Sequence, residues 1–138
     1  MIFRKTNKSI VKSDVNFLEK KFNIKIPDSF VDFIIKNNGG YIENNTYTDE
    51  KISFTIDVFL SIKYGELTLE ETIEDHQVLE DNIPKDLMPF ALDDGGNCYC
   101  IGIDSSNYDK VYKWYFDTDK NQKILLEDCF NDFLSKFS

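Results

Sequence analysis

Histidine occurs once in this chain, while cysteine and proline occur three times each and glycine six times in 138 residues. Each shortage closes off some chemistry. A zinc centre needs four Cys, His or carboxylate ligands, and the pair Cys98 and Cys100 has no second pair to complete it. Three cysteines cannot all pair within one chain. Cys98 and Cys100 sit two apart in a strand pattern and point to the same face, which is poor geometry for a mutual bridge. Reduced, partly buried thiols in the cytoplasm are the expected state. No segment approaches the roughly 18 apolar residues that a spanning helix needs. Met1 to Ile10 carries basic residues with no apolar run behind them, so no secretory leader is expected. No repeat or low-complexity tract interrupts the chain.

Basic residues are also in deficit, with 16 Lys and Arg against 25 Asp and Glu, a net charge of −9. The imbalance is uneven: residues 1–40 carry +4, residues 41–83 carry −9 and residues 84–138 carry −4. An acidic middle repels nucleic acid and anionic membrane and steers basic partners toward itself. Aromatic residues, by contrast, are plentiful. Twelve Phe, seven Tyr and one Trp can fill a core without a disulfide or metal staple at this length. The expectation is a single α+β domain over residues 1–138. Its antiparallel β-sheet of about five or six strands is packed by an N-terminal helix pair, a middle helix and a C-terminal helix.

The elements follow from periodicity and punctuation. Ser13 can cap a first helix whose stripe is Val15, Leu18 and Phe22, with Asn23 as a left-handed stop. Pro27 pre-sets a second helix with Phe30, Phe33 and Ile34 inward, and Gly39-Gly40 ends it. Strand-like composition begins at Tyr41 and marks Lys51 to Phe54 and Ile56 to Ile62. Leu67 to Leu79 reads as a helix with a thin apolar stripe of Leu69, Ile73 and Val78, broken at Ile83-Pro84. Met88 to Leu92, Cys98 to Ile103 and Val111 to Phe116 form a meander, turning at Asp93-Asp94-Gly95-Gly96 and Asp104-Ser105-Ser106-Asn107. Leu126, Phe130, Phe133, Leu134 and Phe137 recur at helical spacing, so this helix covers one sheet face. Within the third meander strand, Tyr112, Trp114 and Phe116 are expected under that helix. Val111, Lys113 and Tyr115 would then look outward.

Several of these pieces stand in a familiar order. Ile26-Pro27 and Asn38-Gly39-Gly40 are followed by Pro89-Phe90-Ala91 and Asp93-Asp94-Gly95-Gly96-Asn97. Tyr99, then Val111-Tyr112-Lys113-Trp114, then Phe130-Asn131-Asp132-Phe133-Leu134 complete the set. The chain thereby resembles the SUKH superfamily, the Smi/Knr cell-wall-assembly-regulator-like group, over nearly its whole length. The resemblance implies a non-catalytic protein-binding domain, in bacteria an immunity protein that neutralises a cognate toxin such as a nuclease by occluding its active site. For eukaryotic members it implies an intracellular regulatory or scaffold adaptor.

Residue chemistry agrees with binding in place of catalysis. A Cys–His dyad would need Cys98 or Cys100 on an exposed rim beside His76, against their strand setting. Asp117-Thr118-Asp119-Lys120-Asn121 has oxygens at calcium-loop spacing, but Gln122 replaces the required Gly and Asp128 the bidentate Glu. Asp93-Asp94-Gly95-Gly96 would repel phosphate. No metal and no cofactor is therefore expected. The candidate contacts for a basic protein partner are Glu70, Glu71, Glu74 and Asp75 on the acidic segment. Asp93, Asp94, Asp104 and Asp109 at the turns join them, with Tyr115 as an outward aromatic. The protein is expected to act in the cytoplasm as a monomer or weak dimer.

Overall fold

The computed structural model describes residues 1–48, 53–116 and 122–137. The described elements are an α+β fold. Strand β1 (Phe3–Arg4) precedes helices α1 (Lys12–Phe22) and α2 (Asp28–Lys36), then short strands β2 (Tyr41–Ile42), β3 (Thr46–Thr48), β4 (Ser53–Thr55) and β5 (Val58–Phe59). Helix α3 (Leu69–Ile73) continues into a wider π-helical stretch, Glu74–Leu79. Strands β6 (Leu87–Leu92), β7 (Cys98–Gly102), β8 (Val111–Trp114) and β9 (Lys123–Glu127) lead to helix α4 (Phe130–Ser135). The main sheet is antiparallel in the order β5-β6-β7-β8-β9, and β1-β2 and β3-β4 form separate ribbons.

The helix signals work with small shifts. Helix α1 starts one residue before Ser13, and Asp14 reaches back to accept the Val11 N–H at 3.0 Å. Asn23 stops it in the left-handed region, at φ 54°. Helix α2 begins just after Pro27 and buries Phe30, Val31, Phe33 and Ile34. Their rings meet those of α4: Phe130 lies 5.3 Å from Phe30, from Phe33 and from the sheet residue Phe90. Each such buried ring stabilises the fold by about 1.5–3 kcal/mol. A bulge between Pro89 and Ala91 admits Phe90 to this cluster and tolerates a proline inside a central strand.

The sheet is covered on both faces, which corrects the expected orientation of β8. Tyr99 pairs with Lys113, and Tyr99 packs 5.9 Å from Phe133 of α4. The face under α4 therefore carries Val111 and Lys113, both buried, and not Tyr112 and Trp114. Those two lie with Cys98, Cys100, Ile83 and Leu87 in a second, smaller cluster, which Phe116 borders. The arm 82–87 roofs it, and the Trp114 indole N–H donates to the Asn82 carbonyl at 2.9 Å. Hydrophobic alternation could not rank the two faces, because both are interior. Lys113 tolerates burial through a carboxylate partner, Asp93, and three rings.

Two further readings are revised. Strand Ile56 to Ile62 shrinks to Val58–Phe59, continued by an isolated bridge from Ser61 to Thr68. Leu126 belongs to β9, a strand that the helical spacing of the C-terminus had concealed. At β9 the pairing with β8 shifts between Val111 and Tyr112, a bulge on the outermost strand. The expected strand from Lys51 begins outside the described residues.

Asn38, at the end of α2, organises the segment that follows β5. It is buried, and its side-chain amide donates to the carbonyls of Lys8 at 2.8 Å and Ile62 at 2.9 Å. Its oxygen accepts the Ile62 N–H at 2.8 Å. Gly39 follows at φ 74°, where a Cβ would stand 2.8 Å from that of Ser61. Asn38→Ala strands the two buried backbone groups of Ile62, frees the more exposed Lys8 carbonyl, and should lower stability by about 3 kcal/mol. Urea unfolding of the variant against the parent measures it.

Candidate protein-binding site

The acidic segment leaves the Asn38 clamp at Ile62 and becomes helical at Leu69. The Thr68 hydroxyl caps α3 by accepting the Glu71 N–H at 3.2 Å. Leu69 and Ile73 are buried in the larger core, as their spacing predicts. Beyond Ile73 the hydrogen bonds lengthen to five-residue steps, with Glu80 N–H donating to the Asp75 carbonyl at 2.9 Å. Gln77 takes the inward position, and its amide donates to the carbonyls of Pro84 at 2.7 Å and Leu87 at 2.6 Å. Val78, expected in the stripe, points out and is 55% exposed, and Leu79 is 71% exposed.

This stretch is therefore a ridge. Residues 66–81 hold seven carboxylates and no Lys or Arg. Glu66, Glu71, Asp75, Glu80 and Asp81 are exposed, while Glu70 and Glu74 are half-buried. Among the described residues, none of the seven joins an ion pair. Unneutralised charge around two protruding aliphatic side chains is the composition of an interface with a polar rim. Sequence reading found the charges and missed Val78 and Leu79, because a π-helical turn leaves no periodic signature of its own.

The remaining candidates are dispersed. The 93–97 and 103–110 turns lie at opposite ends of β7, so Asp94 and Asp104 are separated by a strand length of about 17 Å. Asp93 is buried and spent internally. It accepts the N–H groups of Gly95 at 2.9 Å and Asn97 at 2.8 Å, and it pairs with the Lys113 ammonium at 2.9 Å. Rings of Tyr99, Tyr115 and Phe54 surround that ammonium at 4.9, 5.2 and 5.3 Å. Tyr115 is half-buried beside it. Asp104 is exposed but folds its turn, accepting from Ser106 Oγ at 2.8 Å, an interaction that holds its carboxyl below the usual range. Asp109 accepts from Ser29 Oγ at 2.7 Å and lies at φ 69°. Asp94 stands exposed at its hairpin tip.

His76 stacks on Phe116 at 4.8 Å and meets Asn82 Oδ1 through Nδ1 at 2.9 Å. Cys98 and Cys100 are sealed in the sheet. Burial, reinforced by the Asp93 charge, pushes the Cys98 thiol up to about 12, and burial raises Cys100 as well. Thiols this hard to ionise are poor nucleophiles at neutral pH. No cluster of three or more potential metal ligands occurs among the described residues, and the Asp117 to Asn121 oxygens lie outside them. No helix among the described residues is long and apolar enough to cross a membrane.

A five-stranded antiparallel meander, packed by helices on one face and an arm on the other, defines an α+β domain with its acidic segment displayed along one flank. The chain belongs to the SMI1/KNR4 family (SUKH-1), whose model matches residues 10–136. The family supports a role as an immunity protein or one of the Smi1/Knr4 type. No curated protein matches the chain.

Two outcomes follow from the site's chemistry. Burial alone would raise the Asp93 carboxyl, but Lys113 and the Asn97 N–H outweigh it and hold the group below its ordinary 3.8. The stabilisation is complete above that ordinary value and is lost as pH falls through the lowered one. Asp93→Asn should cost about 3 kcal/mol at neutral pH and flatten this acid limb, which denaturation midpoints against pH will report. In the native protein, a thiol reagent should leave Cys98 and Cys100 unmodified until denaturant is added, as mass spectrometry of labelled peptides would display.

Proposed function

We propose that the protein acts by covering another protein, as an immunity protein whose acidic ridge occludes the active site of a basic cognate toxin. The observation that carries this reading is the ridge itself: seven carboxylates without a cation among residues 66–81, with Val78 and Leu79 projecting between them. A nuclease that grips phosphates presents a basic cleft, and carboxylates imitate the substrate's charge there. Glu70, Glu71, Glu74 and Asp75 supply the contacts, with Asp94 as an outlying carboxylate. Asp93, Asp104, Asp109 and Tyr115 support the fold around them. The partner is a protein, not nucleic acid or membrane, and the setting is the cytoplasm, with the molecule a monomer or weak dimer. The function requires no cofactor and no reaction.

The test is whether the product of the adjacent gene co-purifies with the protein, with association rates of that pair measured across ionic strength. Opposite-sign surfaces associate up to about 10²–10³-fold faster than neutral ones at low salt. The on-rate should fall at least about tenfold between low and high salt, and Glu71→Lys with Asp75→Lys should produce a similar fall. An on-rate indifferent to both would remove the ridge from the interface.

A further inference from the structure

Phe17 is 73% exposed on the outer face of α1. A groove of about 420 Å³ separates α1 from the segment leading into α3, with Phe17, Leu18 and Ile62 as its apolar wall. One ion pair spans this groove, the Lys63 ammonium on Asp14 at 3.1 Å, and its charges cancel. The charge that is left differs in sign from one bank to the other. On the α1 bank, Lys21 lines the groove and Lys20 stands exposed beside it. Neither lysine joins an ion pair among the described residues. On the α3 bank, Glu70 opens a row that Glu74 and Val78 continue at four-residue spacing. Glu71, Asp75 and Leu79 are exposed just behind that row. A phenylalanine among lysines thus lies side by side with aliphatic groups among carboxylates.

A partner for both banks at once needs the same two halves in exchanged positions. A uniformly basic partner satisfies the ridge alone, and an acidic one satisfies α1 alone. A second copy of the chain, turned about a two-fold axis along the groove, supplies both halves by construction. In such an isologous contact α1 of each copy falls over α3 of the other. The lysines then meet unpaired carboxylates twice over, while the exposed apolar side chains leave water between the copies. The net charge of −9 on each copy opposes approach from a distance, but physiological salt screens that repulsion beyond about 8 Å and spares groups in contact. We infer that α1 and the ridge are the two halves of a symmetric dimer interface, with Phe17, Lys20 and Lys21 of each copy against Glu71, Asp75 and Leu79 of the other. The pairing requires nothing of the toxin reading, and an outside protein that takes the ridge must displace the second copy.

Sedimentation of the full chain at physiological ionic strength, from micromolar to millimolar protein, reads the assembly directly. The mass should rise from monomer to dimer and no further. Lys20→Glu with Lys21→Glu sets an acidic α1 against the acidic ridge, and Glu71→Lys with Asp75→Lys sets a basic ridge against the basic α1. Each double variant alone should self-associate at least about tenfold more weakly than the parent. Mixed in equal amounts, the two should form a heterodimer as readily as the parent dimerises, because both contacts are then attractive again. That rescue also shows that neither variant has merely misfolded. Phe17→Ser, at an exposed site, should weaken the parent dimer about tenfold. A parent that stays monomeric at millimolar concentration, variants that dimerise as the parent does, or a mixture that stays apart would overturn the assignment. Growth beyond the dimer would overturn the two-fold arrangement. With no second protein present, failure here leaves the toxin reading standing, and failure of co-purification with the adjacent gene's product leaves the dimer standing.

Discussion

One buried amide holds the acidic flank of this molecule in place. Asn38 gives the chain at Ile62 one donor and one acceptor, the bonding that a neighbouring strand would otherwise provide, and its second amide N–H ties in the Lys8 carbonyl. Without that anchor the backbone leaving β5 would have buried polar groups and no reason to turn where it does. The turn sets the direction of α3, and α3 sets which carboxylates face solvent. The residue just before the helix stop Gly39-Gly40 is thus the bracket from which the acidic flank hangs.

The interior follows a related economy. A sheet roofed on both sides leaves no outward face for polar residues, yet β8 carries a lysine. The cost of burying that charge is met by Asp93 and by the π-faces of Tyr99, Tyr115 and Phe54, so pairing and packing act on one atom. Asp93 in turn shapes the hairpin by accepting two of its N–H groups. Charge within the fold and charge on its surface are therefore separate populations, although the sequence presents both as acidic residues near turns.

That distinction explains how far the sequence could be read. Caps, stops and aromatic spacing are local, so α1, α2, the meander and α4 were legible, as was the acidic character of residues 66–81. That both faces of β8 are interior depends on Ile83 and Leu87 arriving from a segment that looks like a helix break. Strand β9 was hidden because Leu126 sits at a helical interval from Phe130, while its neighbours Leu125 and Glu127 pair with Tyr112 and Val111 far upstream in β8. Exposure of Val78 depends on π-helical geometry, and exposure of Phe17 on what α1 packs against. Neither leaves a mark in the order of residues. Membership of the SMI1/KNR4 family rested on scaffold positions, which is why it located the fold and said little about the surface.

The irregularity in β9 has a consequence for life at high concentration. The β5 side of the sheet is closed by the bridge from Gly40 to Phe59, so the described margin left open is β9, where the bulge skews the ladder and Lys123 stands at the strand's start. A neighbouring copy attempting to extend the sheet there would meet misaligned hydrogen-bonding groups and a charge. Such a blunted rim disfavours edge-to-edge pairing between copies when the protein is concentrated.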